Sequence, residues 1–271
     1  MNINDVYSSI TEQIMQKLQE GTVPWARSWV IGLPQNFISK RLYSGLNFLS
    51  LCVNNYPSPY YVTYLQCKEK GGNIIKASKG SLIVFWKIIH NPDNKSEPEK
   101  YPAQVPLVRY NYVFNLTQTS LYKPGMGGMK LKSCEEILDV MNDKPVIRHN
   151  SLRCCYYPVE DYISLPVPAD FNTIDEYYSS LFHELVHWTG NVKRLARTCN
   201  IADPVEKAGE EITAELASAF LCGLCGISSG VIDNQASYID DWLSSVRDEP
   251  MLFVKAAAAA NKAVHYILNT L

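Results

Sequence analysis

The sequence contains no apolar run that approaches the roughly 20 residues needed to span a bilayer. Its first residues, MNINDVYSSITEQ, are polar and mildly acidic and lack the basic-then-apolar order of a signal peptide. The glycine-rich segment 123–130 lacks the Gly-Lys-Ser/Thr ending of a phosphate-binding loop. These absences argue against membrane, secreted and P-loop proteins, and they predict a cytoplasmic chain with no membrane partner.

A second CxxC pair, which a four-cysteine zinc site would need, is also missing. The single Cys222-Gly-Leu-Cys225 lies late on an alanine-rich helical stretch, where packing is favoured over a redox or metal role. In a reducing compartment, the eight cysteines are expected to be mostly free thiols in or near the core.

The 271 residues carry an ordinary globular composition, 46 % apolar and 19 % charged, which allows one large or two ordinary domains. Residues 1–125 hold 13 Lys and Arg against 7 Asp and Glu, whereas residues 126–271 hold 12 against 20. This asymmetry, together with the glycine-rich linker, predicts a basic domain over 1–125 and an acidic domain over 126–271.

The first half combines helical and strand patterns. Apolar residues recur at helical spacing over 5–20, and residues 60–70 are interpreted as a further helical stretch. Residues 81–89 form a β-branched and aromatic run, and residues 108–115 alternate between two faces. We therefore predict an α+β first domain with a small antiparallel sheet.

This half also carries 17 aromatic residues among its excess cations. Bases stack on aromatic rings and phosphates pair with cations, so the pattern favours binding of single-stranded nucleic acid. The alternative is that the rings are core and the cations are solvated surface. Loop-like sequence supplies the preferred contacts: Trp25, Arg27, Trp29, Lys40, Arg41 and Tyr43.

In the second half, the His183-Glu184-Leu-Val-His187 run predicts a metal site. Residues four apart share one helix face, so the two histidines can bind one Zn²⁺, although other divalent metals are possible. Glu184 is then placed to act as general base toward an attacking water. Chance occurrence of the pentapeptide is the alternative, and the helix signals around it argue against chance: Thr173 with Glu176 as a capping box, and Gly190 as a left-handed stop.

The third ligand is expected on the next helix, where Glu211 and Glu215 share a stripe bordered by apolar residues. Glu211 is the preferred ligand, and Glu215 would accept the free ring N–H of a zinc histidine. Glu210 projects elsewhere on the wheel and is the fallback, as is Glu215. A surface acidic patch at a helix N-terminus is the competing interpretation.

Three short strands before the metal helix are typical of a zinc-peptidase sheet, whose edge strand can hold an extended peptide. The second domain is therefore predicted to be mainly helical and zincin-like, with a short sheet. Zinc and Glu184 would activate a water against a peptide carbonyl. The second oxyanion donor stays open among four residues: Tyr156, Tyr157, Arg194 and Tyr238.

Several sequence blocks, in order along nearly the whole chain, resemble the ArdC-type antirestriction proteins of conjugative plasmids, which share their N-terminal domain with TraC-type plasmid primases. The blocks are Gly21-Thr-Val-Pro-Trp25-Ala-Arg-Ser-Trp29, Tyr43-Ser-Gly-Leu-Asn47, Tyr64-Leu-Gln66, the 112–118 run, the HELVHWTG run within 178–190, Arg194-Leu195, the 210–222 helix and the 238–243 run. The resemblance implies a single-stranded-DNA-binding domain, a zincin-like metallopeptidase domain, and protection of incoming plasmid DNA from host restriction.

Three functions remain in competition. The first is a single-stranded-DNA-binding antirestriction protein with an active zinc peptidase, whose protein substrate or host restriction partner is unknown. The second is a DNA-binding or DNA-mimicking shield whose metal site is vestigial or structural. The third is a regulatory peptidase that cleaves a protein partner without contacting DNA. Salt-dependent oligonucleotide binding separates the first two from the third.

Overall fold

A computed structural model of the chain describes residues 3–26, 32–90, 104–126, 131–197, 199–200, 202–228, 235–249 and 251–270. These residues form an α+β fold, as predicted. In the first half they form α1 (Ile3–Gln19), β1 (Gln35–Asn36), α2 (Gly45–Cys52), β2 (Tyr60–Thr63), α3 (Tyr64–Glu69), β3 (Ser81–His90) and β4 (Gln104–Asn115). In the second half they form α4 (Cys134–Asp139), β5 (Val146–Arg148), β6 (Cys155–Tyr157), β7 (Tyr162–Ser164), α5 (Ile174–Thr189), α6 (Pro204–Cys225), α7 (Gln235–Asp248) and α8 (Leu252–Ile267).

The first sheet has the strand order β1-β2-β4-β3, with β3 and β4 paired antiparallel as the alternation predicts. The prediction of one helix over 60–70 is wrong at its start, because Tyr60–Thr63 forms strand β2 beside β4. Thr63 and Gln66 form a reciprocal capping box that starts α3 one residue later. Two bulky aromatic residues and a valine suit the pleated sheet, and the box marks where the helix begins.

Helix α2 covers the outer edge of β3, which would otherwise expose unpaired backbone groups. Asn47 donates to the carbonyl of Val84 at 2.6 Å and accepts from its amide at 2.8 Å. Ser50 donates to the carbonyl of Leu82 at 2.7 Å. The outward backbone groups of Leu82 and Val84 are thus paired with side chains rather than with another strand.

The second sheet has the order β5-β7-β6, with β5 parallel and β6 antiparallel to β7. Helix α5 packs against β6, and α6 lies between α5 and α8. No helix in the described part of the chain is long and apolar enough to cross a membrane.

One large hydrophobic cluster of buried residues runs across the predicted domain boundary near residue 125. The ring centroids of Phe48 in α2 and Phe220 in α6 lie 5.3 Å apart. Trp25 is fully buried, with its ring centroid 5.5 Å from that of Trp242 and 6.1 Å from that of Phe253. Residues 1–125 expressed alone would therefore expose rings that the second half covers.

Replacement of Trp25 with Ala is expected to lower the free energy of unfolding of the whole chain by about 3–5 kcal/mol, because it leaves a large cavity between the two halves. Urea unfolding of the full chain measures this loss. The control is Tyr64→Ala, since that side chain is 57 % exposed and its loss should change stability by less than about 0.5 kcal/mol. Equal stability of the two variants would contradict the shared core.

Candidate metal centre

Helix α5 begins at a cap that differs slightly from the predicted one. The hydroxyl of Thr173 accepts from the amide of Glu176 at 3.2 Å, as a capping box requires. The Glu176 carboxylate, however, accepts from the amide of Asn172 at 3.1 Å, one residue before the predicted donor. The middle of α5 is buried on most sides. Its fully buried residues are Leu181, Phe182, Leu185, Val186 and Trp188.

The predicted left-handed stop at Gly190 is wrong, because this residue is right-handed, with φ −71° and ψ −18°. A Cβ at this position would lie 3.0 Å from the carbonyl oxygen of His187 and 3.1 Å from Nη2 of Arg197. Glycine is therefore needed for space and not for backbone conformation. The space is occupied by the Arg197 guanidinium, which lies against the end of the helix.

His183, His187 and Glu211 converge on one point, with their ligand atoms all within 4.8 Å of one another. The Nε2 atoms of the two histidines are 3.1 Å apart. Oε2 of Glu211 lies 3.5 Å from Nε2 of His183 and 3.7 Å from Nε2 of His187. A tetrahedral ion with bonds of about 2.0–2.1 Å separates its ligands by about 3.3–3.4 Å. These residues therefore fit a divalent metal ion.

Both histidines have their other ring nitrogen against a carboxylate. Nδ1 of His183 is 3.3 Å from Oε1 of Glu215, the contact that the sequence predicts. Nδ1 of His187 is 3.1 Å from Oε1 of Glu210. The prediction that Glu210 projects elsewhere is therefore wrong. Glu210 lies about 100° around α6 from Glu211. Because α6 packs against α5, both side chains still reach His187. These contacts leave both Nε2 atoms turned toward Glu211.

The carboxylates set the charge of the site. Burial lowers the pKa of His183, but hydrogen bonds to Glu211 and Glu215 outweigh it and raise that pKa well above its usual value. Burial likewise lowers the pKa of His187, and Glu210 and Glu211 reverse the effect. Burial raises the pKa of Glu211, but hydrogen bonds to the two histidines lower it by more and leave it below its usual range. The same carboxylates would stabilise a divalent cation held between the two rings.

Glu184 is buried beside these residues, and its Oε2 accepts from the backbone amide of Tyr156 at 2.7 Å. Tyr156 lies on β6, the edge strand of the small sheet. The bond uses the outward amide that an added peptide strand would otherwise pair with. Sequence reasoning missed this donor, since a backbone amide leaves no signal in residue type.

The side chain of Tyr156 points into a separate polar network. Its hydroxyl donates to Oδ1 of Asp161 at 2.9 Å and accepts from Asn191 at 2.8 Å and Arg194 at 3.2 Å. The guanidinium of Arg194, with smaller help from Tyr156, lowers the pKa of Asp161 to about 2. This network fixes β6 against the end of α5.

Of the four residues considered as oxyanion donors, Tyr156 and Arg194 are committed to this network. Tyr157, the next residue along β6, points to the opposite face of the sheet from Tyr156. There its ring stacks on that of Tyr162, with the ring centroids 4.7 Å apart. The side chain of Tyr238 lies outside the described residues.

Three thiols lie close to the site. Burial raises the pKa of Cys154 and Cys155, and the charge of Glu184 raises both further. Burial and the nearby Glu210 do the same for Cys199. The group of converging ligand atoms found among the described residues contains none of these thiols. Of the CxxC pair, Cys222 is fully buried, as expected for packing.

The structure corrects the predicted DNA contacts. Trp25 is core and cannot stack on a base. Arg27 and Trp29 lie outside the described residues. Tyr43 is half-buried, with its ring edge against Tyr61 at 6.2 Å between centroids.

The remaining two predicted contacts, Lys40 and Arg41, are exposed. The Lys40 ammonium lies 4.5 Å from the ring centroid of Phe37 and 4.2 Å from that of Tyr60. Among the described residues of this half, the exposed rings are elsewhere: Tyr64, Phe85, Tyr110 and Tyr112. The alternation over 108–115 separates two faces, but it does not tell which face is covered.

Two family models match this chain. Residues 4–114 match the N-terminal domain of the anti-restriction factor ArdC, and residues 134–259 match a zincin-like metallopeptidase family. Two DNA primases TraC from Escherichia coli are each 29 % identical over 97 % and 96 % of the chain. The chain spans only 27 % and 19 % of their lengths. The uncharacterized protein y4eC of Sinorhizobium fredii (strain NBRC 101917 / NGR234) is 27 % identical over 97 % of the chain and 91 % of its own length.

Solved structures with the same fold exist for the antirestriction ArdC protein from the R388 plasmid. The metal-free form is 29 % identical with a TM-score of 0.80, covering 98 % of this chain and 97 % of that one. The Mn(II)-bound form is 28 % identical with a TM-score of 0.78, covering 97 % of each chain.

Proposed function

Because this chain belongs to the ArdC-type antirestriction family, we propose that it binds single-stranded DNA through its first half and hydrolyses peptide bonds at a divalent-metal centre in its second half. In this role it would protect incoming mobile-element DNA from host restriction. The observation that carries the hydrolytic part is the convergence of two Nε2 atoms and one carboxylate beside the anchored Glu184.

We assign the three converging residues, His183, His187 and Glu211, as the ligands, with Glu215 and Glu210 orienting the rings. Zn²⁺ is the proposed ion on the strength of the two-histidine, one-glutamate set. Mn²⁺ is the second candidate because a related ArdC structure holds Mn(II). When bound, the ion supplies a Lewis acid that polarises a carbonyl and acidifies water.

Glu184 does the proton chemistry in this proposal. Its Oε2 is held by the Tyr156 amide, and that bond fixes the carboxylate in one orientation. The carboxylate takes a proton from the water that attacks the peptide carbonyl, then delivers it to the leaving amine. The buried position keeps competing bulk water away from the carboxylate.

The strand β4 supports the DNA-binding part. Tyr110 and Tyr112 are 39 % and 44 % exposed and, two residues apart, share one face of the sheet. A Cβ on Gly80 would lie 3.0 Å from the Cβ of Tyr112, so the bare glycine leaves room beside this residue, and Lys79, the neighbour of Gly80 in sequence, is exposed. Exposed rings in a half with net charge +6 suit stacked bases and their phosphates.

The hydrolytic part is tested by incubating the full chain with a peptide library, before and after metal removal, and identifying cleavage products by mass spectrometry. We expect cleavage with Zn²⁺ or Mn²⁺, none after chelation, and recovery on adding the ion back. A metal-loaded chain that cleaves no peptide, while it still protects DNA, would favour the shield with a structural metal site.

The double variant Tyr110→Ala/Tyr112→Ala is expected to weaken oligonucleotide binding by at least about tenfold, because each stacked ring contributes about 1–3 kcal/mol. Fluorescence anisotropy with a labelled single strand at several salt concentrations measures this, and affinity should fall as salt rises. Tyr157→Ala is the matched control, since it removes an equally exposed tyrosine, 38 % exposed, from the acidic half. Unchanged binding by the double variant would remove β4 from the interface.

A further inference from the structure

Arg197 lies in the short segment that follows α5, and its side chain is only 13 % exposed. A buried guanidinium is costly unless its donors are satisfied. Two of its contacts are with the end of α5: Nη2 donates to the carbonyl of Val186 at 2.7 Å, and Nη1 donates to the hydroxyl of Thr189 at 2.9 Å. The guanidinium is therefore fixed to the same helix that carries both histidines.

The other side of the guanidinium grips Glu210 with two bonds. Nε donates to Oε2 at 3.0 Å, and Nη2 donates to Oε1 at 2.8 Å. Such a fork fixes the plane of a carboxylate as well as its position. The same Oε1 lies 3.1 Å from Nδ1 of His187. Gly190 supplies the space for the guanidinium.

We propose that Arg197 is a positioning residue of the metal centre: it holds Glu210 in the orientation that fixes the ring of His187, so that Nε2 faces the other ligands. This inference rests on the proposed metal site. Without the fork, the Glu210 carboxylate is free to turn, and its charge is no longer balanced. The imidazole then loses the partner that fixes its tautomer and ring plane, and metal affinity falls.

Arg194 provides a matched control within the same segment. It also caps α5, with Nε donating to the carbonyl of Trp188 at 2.6 Å, and it also pairs with a carboxylate, that of Asp161. Its side chain is 4 % exposed, at least as buried as that of Arg197. The contacts described for the side chain of Asp161 are with Tyr156, Lys193 and Arg194, and none of them is a proposed ligand.

The test compares Zn²⁺ and Mn²⁺ dissociation constants of full-length variants, measured by competition with a chromophoric chelator, with the melting temperature of each metal-free protein. We expect Arg197→Met and Glu210→Gln each to weaken binding about 10- to 100-fold. The double variant should lose little more than either single one, because the two residues act as one unit. The metal dissociation constants of Arg194→Met should stay within about threefold of those of the unchanged chain. This should hold even if its melting temperature falls as far as that of Arg197→Met.

Arg197→Lys gives a second test if the methionine variant fails to fold. It keeps the charge, but a single ammonium cannot form the planar fork, so its metal affinity should also fall. Equal affinity in Arg197→Lys and the unchanged chain, or equal losses in Arg194→Met and Arg197→Met, would overturn the inference. Failure of the unchanged chain to bind either ion would instead overturn the metal site itself.

Discussion

Glu184→Gln is expected to lower peptide cleavage by at least about 100-fold while metal affinity stays near that of the unchanged chain, because general-base catalysis contributes about 10²- to 10⁴-fold. The amide has nearly the same shape, and its oxygen can still accept from the Tyr156 amide. It cannot take a proton from water. Cleavage of peptides identified with the unchanged chain measures the loss.

The control for this variant is Glu176→Gln. Glu176 lies on the same helix and its carboxylate also accepts a backbone amide, that of Asn172, but it is placed at the helix start. Its cleavage rate should be unchanged. Full cleavage by Glu184→Gln would refute its assignment as the base. If that variant loses cleavage but still protects DNA, antirestriction does not depend on hydrolysis, and the shield function is favoured.

Glu211→Gln is expected to weaken divalent-metal binding by at least about 100-fold, since zinc sites hold about 10–16 kcal/mol across their ligands and a neutral amide replaces a charged one. The variant also removes a carboxylate that raises the pKa of both His183 and His187. Glu206→Gln is the control. Glu206 lies in the first turn of the same helix, where its carboxylate accepts from the backbone amide of Asn200. Equilibrium dialysis of the three proteins measures the difference.

The pH dependence of binding follows from the same contacts. Both histidine pKa values are raised in the metal-free chain, so protons compete with the ion. Affinity should therefore fall as pH decreases through the raised values, which lie above the usual 6.5. In Glu211→Gln this fall should begin at a lower pH. A pH profile identical in both proteins would show that Glu211 does not face the two rings.

Much of the metal centre could be predicted because helical periodicity fixes which side chains share a face. The spacing of His183 and His187 places both rings on one side of α5, and the stripe on α6 holds Glu211 and Glu215. What a single helix cannot predict is how two helices cross. The crossing brings Glu210 to the second histidine, although it lies off the predicted stripe.

Sequence is also a poor guide where a residue type has more than one physical use. The pattern at Gly190 predicts a conformational stop, whereas in the structure this glycine leaves space for Arg197. Trp25 lies in loop-like sequence, and only the packing of the second half shows that the loop turns inward onto Trp242. The antiparallel pair β3–β4 was predicted correctly, because alternation depends on neighbouring residues alone.

The most direct test of the metal centre is an X-ray absorption spectrum of the zinc-loaded full chain. We predict nitrogen and oxygen neighbours at about 2.0–2.2 Å, with multiple scattering from two imidazoles and no sulfur shell. A sulfur shell at about 2.3 Å would show that thiols near the site, such as Cys155, bind the ion instead. That result would contradict the assignment of His183, His187 and Glu211 as the ligands.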